Sequence, residues 1–263
     1  MKSNKILGQH FLKSYFFAKK IVSCLSLTEN DIVIEVGPGK GMLTNFLLNA
    51  KKLILIEKDK LLYQYLTKKY QNYKNVLILN NDILKIDLLN LIANNINNSN
   101  IKLISNLPYY LSKIFLEKMI SWKFIDIFVL TIQKELGNRI LAKNDSKENS
   151  YLTIKQNYYF KIQKIFDIQK EKFSPPPKVV SSTLVFKFKK TYLIKNSIDF
   201  FEFVLSIFYF KRKTLYNNLN LNFKKEKIYF AFNALNLKSS IRAENLDIWN
   251  IISLYFLLKL GFN

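Results

Sequence analysis

Residues that support metal or nucleophilic chemistry are scarce in this chain, which has one cysteine, Cys24, and one histidine, His10, among 263 residues. A single cysteine cannot form a disulfide within the chain, and too few soft ligands remain for the usual zinc sites. A Ser-His-Asp or Cys-His mechanism would depend on His10, close to the N-terminus, and is not expected. The sequence therefore predicts chemistry without a protein-bound metal.

Long hydrophobic runs are also missing. No apolar stretch reaches the ~20 residues that cross a bilayer, and the N-terminal residues lack the apolar core of a secretory signal. We therefore expect a cytoplasmic protein without membrane contact. Hydrophobic residues nevertheless make up 49% of the chain and aromatic residues 15%, which is enough for a globular core.

Acidic residues are few compared with basic ones. The chain has 41 Lys and Arg against 19 Asp and Glu, a formal net charge of +22, which favours a polyanionic partner, either nucleic acid or an acidic membrane surface. Abundant lysine with only three arginines is typical of an A+T-rich genome. That bias does not explain the shortage of acidic residues, so we interpret the charge as a nucleic-acid-binding feature.

Strand-like apolar runs alternate with helix-like segments over the first half of the chain. This alternation is typical of a parallel sheet with helices on both faces, in which ligands bind beyond the carboxyl ends of the strands. The strand-like runs are 31–36, 52–57, 75–80, 101–106 and 126–132, and helix-like segments include 42–50, 59–72 and 111–121. Strands at 158–168 and 182–189 complete a mostly parallel, seven-stranded sheet.

The pattern changes near residue 190. Helical periodicity continues to the end of the chain without a further strand pattern. The helix-like segments there are 198–210, 213–220, 224–236 and 244–260. We therefore predict an α/β domain over residues 1–190 and a small all-helical C-terminal domain over 191–263.

Three glycines, Gly37, Gly39 and Gly41, follow the first predicted strand. Alternate glycines permit a tight turn and close approach of a ligand to the backbone, but their spacing is not the G-x-G-x-x-G of dinucleotide sites. An ordinary strand-to-helix turn is the alternative. Glu57 ends the second strand, where a carboxylate can accept hydrogen bonds from both ribose hydroxyls of a nucleoside. The nearby Asp59 is interpreted as a helix N-cap.

Asp82 and Ile83 follow the third predicted strand. The Asp82 carboxylate can accept a hydrogen bond from the amine of an adenine ring, while Ile83 packs on the face of that ring. A helix cap is the alternative role for Asp82. With the glycine turn and Glu57, these residues predict a nucleoside-containing cofactor at the carboxyl edge of the sheet.

Asn106-Leu107-Pro108-Tyr109 follows the fourth predicted strand and is the most specific motif in the chain. It suits methyl transfer to an exocyclic amine, a poor nucleophile that reacts when acceptors hold both its protons. The Asn106 side-chain oxygen and the Leu107 carbonyl, held by Pro108, are the acceptors. Tyr109 offers a face on which an extruded base can stack. A plain turn is the alternative.

These motifs, in this order, resemble the KsgA-type ribosomal RNA adenine dimethyltransferases of the small subunit over nearly the whole chain. The other segments that carry the resemblance are Gly8-Gln9-His10-Phe11-Leu12, Gln133-Lys134-Glu135 with Arg139-Ile140, Phe173-Ser174-Pro175-Pro176-Pro177-Lys178-Val179, Arg212-Lys213-Thr214-Leu215 and Arg242-Ala243-Glu244-Asn245-Leu246. Two positions depart from the family pattern. His10 stands where asparagine is common, and Ser150-Tyr151-Leu152-Thr153 lacks the glycine and arginine of Y-G-R-L-S.

The resemblance implies a class I S-adenosylmethionine-dependent methyltransferase with a Rossmann-like domain. Its implied substrate is two adjacent adenosines in a hairpin near the 3′ end of small-subunit rRNA, dimethylated late in 30S assembly. Implied cofactor contacts come from His10, Leu12, Gly37, Glu57, Asp82 and Asn106. The target adenine is implied to lie against Asn106 and Tyr109, with Phe173 on its other face. We expect the protein to act as a monomer.

Two alternatives to this function remain open. The first is a relative that dimethylates large-subunit rRNA, against which the C-terminal segments 211–215 and 242–246 argue. The second is a non-catalytic assembly or transcription factor, which would not need an intact Asn-Leu-Pro-Tyr motif. Arg139 and Arg212 are the preferred phosphate contacts, because the composition works against arginine, although ion pairs within the protein are an alternative for both.

Overall fold

The computed structural model describes residues 9–93, 99–189, 194 and 197–260. The chain divides into two compact units, one of Met1–Gly137 with Lys161–Phe188 and the other of Asn138–Phe160 with Lys189–Asn263. Within the described ranges, no helix combines the length and apolar character that crossing a bilayer requires.

The first unit is built on a seven-stranded sheet, as predicted. The strands of the chain are β1 (Phe11–Leu12), β2 (Ile32–Val36), β3 (Lys52–Glu57), β4 (Val76–Asn80), β5 (Ile101–Asn106), β6 (Ile127–Gln133), β7 (Phe160–Ile168), β8 (Phe173–Ser174) and β9 (Ser181–Phe188). The sheet has the order β4-β3-β2-β5-β6-β9-β7. Strands β2 to β6 pair in parallel, and β9 runs antiparallel to β6.

The central strands are apolar because helices and loops cover both faces of the sheet. All five residues of β2 are buried, the pattern expected of an interior parallel strand. The helices of this part of the chain are α1 (Tyr15–Ser23), α2 (Lys60–Tyr70), α3 (Leu88–Ile92), α4 (Ser112–Lys118) and α5 (Lys134–Ile140). Asp59 caps α2 by accepting hydrogen bonds from Leu61 N and Leu62 N, which confirms its predicted role.

The helix predicted over 42–50 is wrong. That segment contains only a 3₁₀ turn, Thr44–Phe46, because Phe46 N and Leu47 N donate to carbonyls three residues back, each at 2.9 Å. The carbonyls of Leu48 and Ala50 instead accept hydrogen bonds from Asn75 Nδ2, at 2.8 and 2.7 Å. The pairing of β1 with β8, in a separate antiparallel two-stranded ribbon, was also not predicted.

The second unit is helical. Its helices are α6 (Tyr151–Tyr159), α7 (Ser197–Ile207), α8 (Leu215–Leu219), α9 (Lys225–Ala234) and α10 (Ile248–Tyr255), followed by a π-helical turn, Phe256–Leu260. Residues 138–160, which the sequence pattern places in the first domain, lie in this unit. The physical reason is an aromatic cluster in which Tyr158 packs against Phe201 with ring centroids 5.3 Å apart.

The departure from the family pattern at 150–153 forms the start of α6. Ser150 N donates to Thr153 Oγ1 at 3.1 Å, and the two hydroxyls lie 3.0 Å apart. Such reciprocal bonds satisfy backbone donors at a helix N-terminus. The segment is therefore a capped helix start without the family's glycine.

Candidate active site

Two adjoining cavities lie at the carboxyl edge of the parallel strands, within the first unit. The larger has a volume of about 320 Å³, the size of a small-molecule site, and the smaller of about 120 Å³. The larger cavity is lined by the predicted residues His10, Leu12, Gly37, Gly39, Glu57, Asn106, Leu107, Pro108, Tyr109 and Phe173. The smaller one is lined by Asp82 and Ile83 and shares Gln9, Gly37, Glu57 and Pro108 with the larger. The fold thus brings every predicted site residue to one place.

The glycine turn between β2 and the 3₁₀ turn needs glycine for its conformation. Gly37, Gly39 and Gly41 have φ of +65°, +59° and +79°, in the left-handed region that side chains disfavour. A Cβ on Gly39 would lie 2.9 Å from the Phe11 ring, and one on Gly41 would overlap the Tyr70 hydroxyl. A Cβ on Gly37 would meet nothing within 4 Å, so the Gly37 backbone faces open space in the cavities.

Glu57, at the end of β3, is held by backbone groups on both sides. Its Oε2 accepts from Gly39 N at 3.1 Å, and its Oε1 accepts from Asp59 N at 2.9 Å. Burial raises the pKa of this carboxyl, although these N–H donors oppose the rise. The carboxylate is therefore fixed in one orientation beside the glycine turn.

Asp82 is held by a backbone donor and by a lysine on the wall of the smaller cavity. Its Oδ1 accepts from Leu84 N at 3.0 Å, which caps the local turn, and its Oδ2 lies 2.9 Å from Lys58 Nζ. Burial alone raises the pKa of Asp82, but the Leu84 N–H and the Lys58 ammonium bring it below its usual value. The adjacent Ile83 is buried, 3% exposed. An ionised carboxylate beside an apolar side chain therefore lines the smaller cavity.

Asn106 and Leu107 each contribute a hydrogen-bond acceptor to the lining of the larger cavity. Asn106 Nδ2 donates to the His10 carbonyl at 3.2 Å, so Oδ1, at the other end of the carboxamide, points away from that carbonyl. Leu107 N donates to Thr131 O at 3.1 Å, and among the described residues no group donates to Asn106 Oδ1 or to the Leu107 carbonyl oxygen. Both oxygens remain able to hold donors of a ligand.

Tyr109 is a fixed aromatic wall of the same cavity. Its hydroxyl lies 2.9 Å from Ser181 Oγ on β9, and its ring centroid is 5.6 Å from that of His10, with a tilt of 34°. Burial raises the pKa of Tyr109, so the phenol stays protonated. Phe173, 2% exposed, also lines the cavity and pairs with Leu12 across the β1–β8 ribbon.

Glu35 is a site residue that the sequence argument did not single out. Glu35 is one of the residues that line the larger cavity, yet it is only 1% exposed, and Thr44 Oγ1 donates to its Oε2 at 2.7 Å. Burial raises the pKa of Glu35 to about 8, with Glu57 adding to the rise and Thr44 and Lys69 opposing it. Its position two residues before Gly37 is the clue that could have identified it.

Ser181 was also missed, and no local pattern marks it. It is fully buried and lies 72 positions from the tyrosine it contacts. Phe11, which covers Gly39, was part of the matched N-terminal segment but was given no role. Both contacts depend on pairing between segments that are far apart in the sequence.

Three features together define a class I S-adenosylmethionine-dependent methyltransferase. They are a parallel sheet with one antiparallel strand beside its edge, ligand space over a glycine turn, and acidic residues after successive strands. Within that class the chain can be placed further. A family model described as ribosomal RNA adenine dimethylase matches residues 1–257, and the chain belongs to this family.

Similar proteins agree with this placement. One named ribosomal RNA small subunit methyltransferase A, from Fusobacterium nucleatum, is 36% identical over 260 residues, 96% of each chain. Another of the same name, from Mesomycoplasma hyopneumoniae, is 38% identical over 95% of this chain and 94% of its own length. A dimethyladenosine transferase structure from Plasmodium falciparum has a TM-score of 0.81 at 27% identity, covering 94% of this chain and 96% of that one. The 23S rRNA methyltransferase ErmE, 18% identical with a TM-score of 0.74 over 94% of this chain and 99% of its own, shares the fold.

Proposed function

We propose that this protein transfers methyl groups from S-adenosylmethionine to N6 of two adjacent adenosines in a hairpin near the 3′ end of small-subunit rRNA, as the subunit assembles. The observation that carries the proposal is the pair of acceptors, Asn106 Oδ1 and the Leu107 carbonyl, on the cavity wall beside the glycine turn. A protein that only bound RNA would not need two acceptors placed to hold one amino group.

The residues around the cavities fit the proposed cofactor. The Glu57 carboxylate suits the ribose hydroxyls, and Asp82 with Ile83 suits the adenine ring. The open space beside Gly37 admits a ligand against the backbone. His10, Leu12, Gly39 and Asn106 would complete the cofactor contacts, as the resemblance implies.

Catalysis would depend on alignment more than on proton removal. When bound, the cofactor supplies a methyl group on a positively charged sulfur, already an activated electrophile. Asn106 Oδ1 and the Leu107 carbonyl would each accept one proton of the adenine amino group, which directs the nitrogen lone pair. Tyr109 and Phe173 would stack on the extruded base. The ring orientation of Tyr109 is set by the Ser181 hydroxyl.

The choice of the small subunit rests on the relatives. The two proteins described above that share 36% and 38% identity with this chain are named for the small subunit, whereas ErmE shares only 18%. The formal charge of +22 fits an RNA substrate. We propose that the protein acts as a monomer in the compartment that holds the ribosomes.

Labelled methyl transfer to small subunits that lack the modification tests this function. Wild type should incorporate label, and Asn106→Ala should lower kcat by about 10² to 10³, the usual loss for one fixed transition-state contact. Primer extension on both rRNAs locates the product. A stop in large-subunit rRNA alone would reject the proposed substrate, and equal, negligible incorporation by wild type and variant would favour a non-catalytic factor.

A further inference from the structure

His10 connects three parts of the candidate site. Its Nδ1 lies 2.8 Å from the Pro175 carbonyl, its own carbonyl accepts from Asn106 Nδ2 at 3.2 Å, and its ring packs 5.6 Å from that of Tyr109. Because a carbonyl oxygen only accepts hydrogen bonds, the imidazole must carry its proton on Nδ1. The imidazole therefore donates to the loop after β8.

This bond holds the N-terminal segment against the site. The segment also pairs with β8 through Phe11–Ser174 and Leu12–Phe173, and Lys13 N donates to Lys172 O at 2.9 Å. These contacts form a very short ribbon, and two paired residues on each side add little stability by themselves. The bond from His10 to Pro175 O adds a contact at the end of the ribbon opposite the Lys13–Lys172 bond.

Closure of the ribbon determines which end of the Asn106 carboxamide faces the cavity. The two ends of an amide side chain have nearly the same shape but opposite hydrogen-bonding character. The His10 carbonyl attracts the NH₂ end, so Oδ1 is directed away from it. With the reverse orientation the NH₂ group would point at the substrate amine and could not accept its proton.

We propose that the His10 imidazole is a positioning group for the reaction: by donating to Pro175 O, it keeps the His10 carbonyl where that carbonyl orients the catalytic Asn106 carboxamide. The catalytic consequence of this inference rests on the proposed function. The hydrogen bond from His10 to Pro175 O, here called the latch, is a property of the protein alone. It also accounts for the departure from the family pattern at this position. An asparagine Nδ2 occupies nearly the same place relative to the backbone as a histidine Nδ1, and both are donors.

The comparison of His10→Asn with His10→Ala tests the latch. Hydrogen exchange of the segment 9–13 is measured on the full chain without cofactor or RNA, with thermal unfolding of each variant to establish that it is folded. Lys19→Ala, an exposed position on α1, is the matched control. We expect His10→Ala to speed exchange roughly two- to tenfold, the effect of one neutral hydrogen bond. His10→Asn and the control should exchange at the wild-type rate.

Steady-state methylation and cofactor titration then test the catalytic consequence. His10→Ala should lower kcat by a larger factor than it raises the cofactor Kd, and His10→Asn should restore kcat. The proposal is overturned if His10→Ala exchanges like wild type, if His10→Asn exchanges as fast as His10→Ala, or if His10→Ala changes Kd alone. Failure of the wild type to methylate RNA would overturn the proposed function instead, while the exchange comparison would still decide the latch.

Discussion

The Glu35 carboxyl group is almost completely shielded from water by the folded protein. The residue is 1% exposed, Thr44 Oγ1 donates to its Oε2 at 2.7 Å, and burial raises its pKa from 4.5 to about 8. Glutamine keeps the size of the side chain and an acceptor for the Thr44 hydroxyl, but it has no proton to lose. Glu35→Gln therefore isolates the free-energy cost of ionising this group.

The direction in which stability changes with pH follows from proton binding by the folded and unfolded states. Between pH 4.5 and about 8 the folded state keeps a proton that the unfolded state has released, so the free energy of unfolding of the wild type falls as pH rises. Each pKa unit corresponds to about 1.4 kcal/mol. Ionisation of Glu35 should therefore cost about 2 kcal/mol near pH 6 and about 3 to 5 kcal/mol above pH 8. Glu35→Gln should match wild type in acid and exceed it increasingly as pH rises.

Urea unfolding at about pH 4.5, 6 and 8.5 measures this difference. Trp122 is buried in the first unit, and Trp249 is the other tryptophan of the chain, so a Trp249→Phe background makes the fluorescence report on the unit that contains Glu35. Glu29→Gln, at an exposed loop position, is the control and should change little at any pH. The difference in free energy of unfolding between Glu35→Gln and wild type should widen as pH rises. A difference that is constant or narrows would refute the reasoning, because Glu35 would then be ionised in the folded protein with its charge offset by Lys69.

Two further predictions concern the walls of the site. Tyr109→Phe and Ser181→Ala each remove one partner of a 2.9 Å hydrogen bond, so each should slow single-turnover methylation about two- to tenfold. The double variant should be slowed no more than either single variant, and fully additive losses would contradict a shared role. Gly41→Ala should lower the free energy of unfolding in urea by about 1 to 3 kcal/mol, because φ is +79° and the new Cβ overlaps the Tyr70 hydroxyl. The loss should shrink in a Tyr70→Phe background, and an equal loss in both backgrounds would show that the overlap is not the cause.

The positions of the parallel strands along the chain could be predicted because local sequence carries them. Apolar runs such as 31–36 become interior strands with helices and loops on both faces of the sheet. Strand β2 follows that pattern, because every one of its residues is buried. The glycines after it are needed by a turn whose conformation only glycine adopts easily. Since parallel strands end at one edge, Glu57, Asp82 and Asn106 could be expected to meet there.

The differences between the sequence pattern and the structure depend on partners far away in the chain. The segment 42–50 has residues that suit a helix, but it forms only a 3₁₀ turn, and its Leu48 and Ala50 carbonyls accept from Asn75, 25 or more positions away. Residues 138–160 follow the α/β pattern in sequence, yet aromatic packing against α7 places them with the helical unit. No local periodicity could mark two-residue strands such as β1 and β8.

By itself, the sequence determined which groups are available at the site: three glycines that permit a turn, two carboxylates, and an Asn-Leu-Pro-Tyr segment, each placed by its own strand. Only the tertiary structure decided how those groups are held. The His10 carbonyl sets the direction of the Asn106 carboxamide, and Ser181 sets the ring of Tyr109. A strand end is specified by short-range pattern, whereas the orientation of a side chain is specified by whatever the fold packs against it.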